Sequence, residues 1–262
     1  MPQLDILAWV VAAVSAVMVG VSKTGIPGVS IMIVPLMAAA MPAGRSVGAL
    51  LGMLILADIF AITYHRRNAV WSHVVRLLPA AFGGVVAGYY LLRAMRDGGG
   101  EIQDAYLKPV IGIIVLAMLG VNLWRRRDER AAEHVPQRWW FAATMGVMAG
   151  LTTMLGNAAG PVVVLYLLAM RLPKVEFVGT SAWFFFIINW IKVPFTSRLD
   201  MMTAETIKLD VLMLPFIGLG SLLGIYFLRR IPQKAFNAVA EILAAVAALN
   251  LIIPSVVRMV GG

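Results

Sequence analysis

Three things are scarce in this chain of 262 residues: cysteine, acidic side chains and histidine. There is no cysteine at all, which rules out a disulfide framework, a thiolate nucleophile and any cysteine-based metal site. Charged residues make up only 13%, against about 25% in a typical soluble domain. The three histidines, His65, His73 and His134, lie in or near expected loops, and no pair has metal-ligand spacing inside an apolar run. No Ser/His/Asp set, phosphate-binding glycine loop or metal signature is present, so an enzyme or an ATP-driven pump has no support. No cofactor is expected.

What fills the space is apolar. Hydrophobic residues reach 61%, too many for the remaining polar surface to cover in water, so lipid is the expected solvent. The net charge of +9 sits in short basic loops between apolar runs, at Arg66-Arg67, Arg125-Arg126-Arg127, Arg171 with Lys174, and Arg229-Arg230. That is the positive-inside pattern of a bacterial-type inner membrane protein, not the single basic face of a nucleic-acid binder. The first basic residue is Lys23, so the amino-terminal apolar segment lacks a signal peptide's basic region and is expected to be retained. The sixteen methionines are scattered and read as lipid-compatible packing.

Six runs are long enough to cross a bilayer as helices, near 46–63, 74–92, 107–124, 176–195, 210–228 and 236–257. Trp71, Trp124, Trp139 and Trp140 stand at run ends as interface anchors. Two further regions, 5–42 and 139–170, are apolar but broken in the middle. The breaks read Ser22-Lys23-Thr24-Gly25-Ile26-Pro27-Gly28 and Thr152-Thr153-Met154-Leu155-Gly156-Asn157-Ala158-Ala159-Gly160-Pro161. At membrane depth, irregular backbone survives only where protein buries it or where it lines a wet cavity.

The chain also repeats. Gly25 and Gly156, Val47-Gly48 and Val178-Gly179, Asp58 and Asn189, and Arg67 and Arg198 share an offset of 131; Gly84, Gly88 and Leu92-Arg93 match Gly220, Gly224 and Leu228-Arg229 at 136. The expected fold is therefore an all-α integral membrane protein of two repeats. Residues 1–124 and 139–262 would each hold a broken, re-entrant helical hairpin plus three transmembrane helices, joined by a basic cytoplasmic linker at 125–138. If each broken region enters and leaves on one side, the halves are inverted, and nearly twice as many Lys and Arg fall inside as outside. Spanning the bilayer at each break instead gives eight crossings and a weaker charge bias.

Half-helices starting near Gly28 and Pro161 would turn free backbone N–H groups toward a ligand, which suits an anion. Ser22, Lys23, Thr24, Gly25 and Gly28 from the first break, with Thr152, Thr153, Gly156, Asn157 and Gly160 from the second, form the expected substrate site near the midplane. Asp58, acidic deep within an apolar run, and its repeat mate Asn189 read as either a proton-coupling position or a structural pair, Lys23 being one partner for Asp58. Lys192, just before Pro194, reads as a snorkelling anchor. Arg66, Arg67 and Arg198 read mainly as topology signals. Expected partners are a small anion and the bilayer, with a homodimer allowed.

Val21-Ser-Lys-Thr-Gly-Ile-Pro-Gly28, Pro35-Leu36, Pro42, Ser46-Val47-Gly48, Ala57-Asp58 and Tyr64-His65-Arg66-Arg67-Asn68-Ala69-Val70-Trp71 resemble the TauE/SafE family of sulfite and organosulfonate permeases. Gly156-Asn157, Gly160-Pro161 and Gly179-Thr180-Ser181 look like that family's second repeat. Leu51-Gly52-Met53 departs from it, standing where the resemblance leads one to expect a proline. The resemblance implies export of a small sulfur-containing anion such as sulfite, sulfoacetate or a related sulfonate. A passive anion channel, or a permease for a carboxylate or inorganic anion, is the alternative.

Overall fold

The computed structural model describes residues 6–27, 33–40, 43–98, 139–240, 242, 243, 246 and 249. Within them lie α1 (Ile6–Thr24), α2 (Ile33–Ala40), α3 (Ala43–His65), α4 (Trp71–Gly98), α5 (Trp139–Gly156), α6 (Gly160–Ala169), α7 (Lys174–Arg198) and α8 (Ala204–Arg230); residues 233–240 are also helical. No strand occurs among the described residues. Five helices, α1, α3, α4, α7 and α8, are long and apolar enough to cross a membrane. The runs expected at 46–63, 74–92, 176–195 and 210–228 are α3, α4, α7 and α8, each somewhat longer than its apolar stretch. The run at 107–124, the linker at 125–138, and most of the run at 236–257 lie outside the described residues.

Local chemistry sets the boundaries. At α8 the Thr203 side chain accepts from the Thr206 N–H while the Thr206 hydroxyl accepts from the Thr203 N–H, a reciprocal cap that starts the helix before its apolar stretch. At α5 the chain stops on Asn157, whose φ of 55° is one that asparagine tolerates better than most residues. The N–H groups of Asn157 and Ala158 turn back to the carbonyls of Thr153 and Thr152. Pro161 then occupies the first turn of α6, where its missing N–H costs no helical hydrogen bond. Pro79 and Pro215 lie inside α4 and α8, as neighbouring helices permit in membrane proteins.

The helices pack as two apolar cores. One unites α1, α2 and α3 with the Leu209, Met213 and Ile217 face of α8. The other unites α5, α6 and α7 with the Leu77, Ala81, Val85 and Tyr89 face of α4. Each half of the chain therefore contributes one helix to the core of the other.

Small residues set the closest approaches. Gly220 faces the Val17 carbonyl and Gly224 faces Thr24, so α1 and α8 advance together. Gly84 faces Val147 and Gly88 faces Met154, so α4 and α5 do likewise. A β-carbon on Gly220, Gly224, Gly84 or Gly150 would collide with the opposing helix, as expected where membrane helices cross through small residues. α8 also runs parallel to α3, Gly52 meeting Asp210 and Tyr64 meeting Arg229. In contrast α3 and α7 are antiparallel: Asp58 pairs with Asn189, whereas Val70, beyond the end of α3, bonds Thr180. Trp71 against Trp183 and Tyr89 against Phe195 align α4 with α7. Hence α1, α3 and α8 point one way and α4, α5 and α7 the other.

The outer surface is apolar. Leu222 is 68% exposed and Val211 61%, on the side of α8 turned away from α1 and α3; a face this oily is a lipid-facing face. Trp71, Trp139 and Trp140 are exposed, as interface anchors should be; Trp124 is outside the described residues.

Candidate functional site: a buried charged cluster between two broken helices

α1 ends in Lys23 and Thr24, and their side chains go to different places. Lys23 reaches Asp58 on α3, Nζ to Oδ1 at 2.8 Å, with its side chain only 9% exposed and that of Asp58 fully buried. The ammonium also lies 4.1 Å from the centre of the Phe185 ring on α7, a favourable cation–π placement. Asn189 completes the carboxylate by donating from Nδ2 to Asp58 Oδ2 at 2.8 Å. The matching repeat positions Asp58 and Asn189 are thus in direct contact across the α3–α7 crossing, with Lys23 as the cation that makes the buried charge tolerable. Thr24 is fully buried, its hydroxyl within hydrogen-bond distance of the carbonyls of Gly20 (3.0 Å) and Ser221 (2.8 Å). It locks α1 to α8 and is not turned to a ligand.

Lys192 changes the site most. It is fully buried, so it does not snorkel as its place near the end of an apolar run led one to expect. Its ammonium donates to the Thr153 hydroxyl at 3.0 Å and to Asn157 Oδ1 at 2.6 Å. Asn157 in turn donates to the Val47 carbonyl on α3 at 3.0 Å. Phe185, Asn189 and Lys192 are spaced i, i+4, i+7 on α7 and share one face. That face joins the two breaks: Lys23 and Asp58 meet Asn189 at one end, and Thr153 and Asn157 meet Lys192 at the other. Asn189 and Lys192 are three residues apart on α7, about 4.5 Å along the helix axis, so the two ends form one continuous cluster.

Of the other expected site residues, Thr152 is buried and its hydroxyl donates to the Ala149 carbonyl at 3.2 Å. A β-carbon on Gly25 would strike the Gly224 backbone, so this glycine serves close packing. One on Gly156 would meet nothing within 4 Å, so Gly156 borders open space beside Asn157. Gly160, partly buried, opens α6 two residues after Ala158. Ser22 is partly buried on the last turn of α1, and Gly28 lies outside the described residues. No group of three or more potential metal ligands occurs among the described residues.

Asp58 is not the only acidic residue buried in an apolar helix. Asp210 on α8, 3% exposed, is a second, and reading the helix as starting at the apolar run put it at an end. The Thr203 cap places it well inside. The signal for Lys192 was also present: it follows Asn189 by three residues and therefore shares its helix face.

An all-α fold with several membrane-spanning helices, broken helices at its centre and a buried charged cluster between them defines a multi-pass membrane protein built around an internal polar site. The chain belongs to the sulfite exporter TauE/SafE family, whose family model matches residues 6–251. It is accordingly a membrane transporter of the sulfite-exporter type. No curated protein and no solved structure gives a significant match to the chain.

Proposed function

We propose that this protein is a secondary transporter exporting a small sulfur-containing anion, such as sulfite, sulfoacetate or a related sulfonate, across the inner membrane. The anion rests between Lys23 and Lys192. The observation that carries this reading is a charge imbalance. The cluster holds two buried ammonium groups but one carboxylate, Asp58. Lys192 has only neutral acceptors, Thr153 and Asn157, although a buried charge is stable only when paired. With both amines protonated the cluster carries one excess positive charge, which a monoanion neutralises.

The surroundings suit an oxyanion. Thr153 can turn its hydroxyl to a ligand when Lys192 swings away from it, and α6 begins just beyond Asn157 with free N–H groups. The opposite directions of α1 and α5, α3 and α7, and α4 and α8 support reading the halves as inverted repeats, with the linker at 125–138 cytoplasmic. Inversion would let one arrangement of contacts serve both faces of the membrane in turn.

The test is anion-dependent stabilisation of the purified protein in detergent. Sulfite and sulfoacetate should raise the unfolding temperature in the wild type, and carboxylate controls should not. Lys192→Met should abolish the shift. An unchanged shift in that variant would remove the anion from this cluster.

A further inference from the structure

Asp210 takes no part in the anion cluster, and its setting is unusual. It is 3% exposed, and neither carboxylate oxygen has a hydrogen-bond partner among the described residues. It lies directly against α3, where Gly52 alone makes room: a β-carbon at position 52 would overlap the carboxylate. The bordering side chains Leu209, Met213 and Ile217 are apolar core. Among the described residues no cation is placed to compensate it. On α3, Arg45 stands two turns before Gly52 and is directed to Glu205 at 3.8 Å, both half exposed. On α8 itself, Lys208 is exposed. α1 has no ionisable group before Lys23, which Asp58 holds, and α2 has none.

A sealed, unpaired carboxylate is costly, and taking up a proton removes its charge. A metal cation would require several further oxygen ligands, and no cluster of three potential ligands is present among the described residues. Asp210 is also well placed to exchange. It is six residues into α8, about 9 Å from the helix start, and Gly48, one turn before Gly52, touches the Met201 carbonyl in the connection preceding α8. α3 carries Asp58 on its α7 side and Gly52 on its α8 side, about 9 Å apart along the axis.

We infer that Asp210 is a proton-binding carboxyl, separate from the anion cluster, and that its protonation and deprotonation couple a proton gradient to transport through α3. The proton arrives from the aqueous phase on one side, neutralises the carboxylate, and leaves to the aqueous phase on the other. The inference rests on the transporter reading above.

The test uses the full chain in liposomes with radioactive sulfite as probe. Two rates are measured: sulfite exchange at equal pH on both sides, and net sulfite movement driven by a pH gradient. Asp210→Asn should keep exchange while losing gradient-driven movement by at least about tenfold, and Asp210→Glu should restore part of it. Gradient-driven movement that survives Asp210→Asn overturns the inference, as does a dependence on a sodium gradient in place of the pH gradient.

If the wild type neither exchanges nor moves sulfite, it is the anion reading that fails. Asp210 is then judged by infrared difference spectra of the wild type and both variants between acid and alkaline buffer. A carboxylic carbonyl band lost at high pH and altered in the variants supports a proton site. Its absence from the wild type rejects one.

Discussion

Replacing the two buried lysines by methionine, one at a time, should separate stability from binding. Lys23→Met leaves Asp58 fully buried with only the Asn189 amide for company. Breaking a buried ion pair on one side costs about 3–5 kcal/mol, which for a chain of this size lowers the unfolding temperature by roughly 10 °C. The double variant Lys23→Met/Asp58→Asn should recover most of that loss, because no charge is then stranded. Lys192→Met behaves differently. It removes a buried ammonium whose direct hydrogen-bond partners are neutral, a relief of up to about 2.5–3.5 kcal/mol on insertion scales. Against that, Thr153 and Asn157 each lose a donor, at about 1–3 kcal/mol apiece. The two effects nearly cancel, so stability without anion should change little. Binding should not be spared: losing one charge-assisted hydrogen bond, about 1.5–3 kcal/mol, weakens the anion roughly 10- to 150-fold. Thermal unfolding in detergent, with and without sulfite, reads both quantities on the same samples. The reasoning fails if Lys192→Met destabilises the empty protein as much as Lys23→Met while its sulfite response stays intact.

Other positions give independent checks. Gly224→Leu should prevent α1 and α8 from closing and abolish folded protein, whereas Gly83→Ala, where a β-carbon meets nothing within 4 Å, should express normally; size-exclusion profiles distinguish them. Thr203→Ala removes the cap of α8 and should cost about 0.5–2 kcal/mol in unfolding experiments, with anion binding retained. Tyr64→Phe removes the exposed hydroxyl that accepts from Arg229 and should change stability by no more than about 1 kcal/mol.

The membrane class, the positions of the long helices α3, α4, α7 and α8, and both breaks were legible in the sequence because each follows from local composition: long apolar stretches, and Gly/Pro interruptions within them. The contact between Asp58 and Asn189 was foreshadowed by their matching repeat positions, although the repeat alone did not say that mates would touch. Thr24 was less legible. A hydroxyl beside a broken helix looks like a ligand donor, and only the approach of α8 shows it spent on the Ser221 carbonyl. Lys192 was misjudged because depth was inferred from distance to the end of an apolar run, whereas α7 continues as helix to Arg198. A charge near the edge of hydropathy can still be central to the packing. Asp210 shows the same effect at the other end of a helix, where the cap at Thr203 extends α8 beyond its apolar stretch.

The exchange of α4 and α8 between the two cores has a consequence for how such a chain is made and how it arose. Among the described residues, a half produced alone would leave α4 or α8 without the core it packs into and its own core without one wall. Two half-length chains made together should therefore reassemble, while either one alone should be degraded. On the proposed inverted-repeat reading, a single-repeat ancestor would have worked as a pair of identical chains inserted in opposite orientations, each lending the other the helix that α4 and α8 now are.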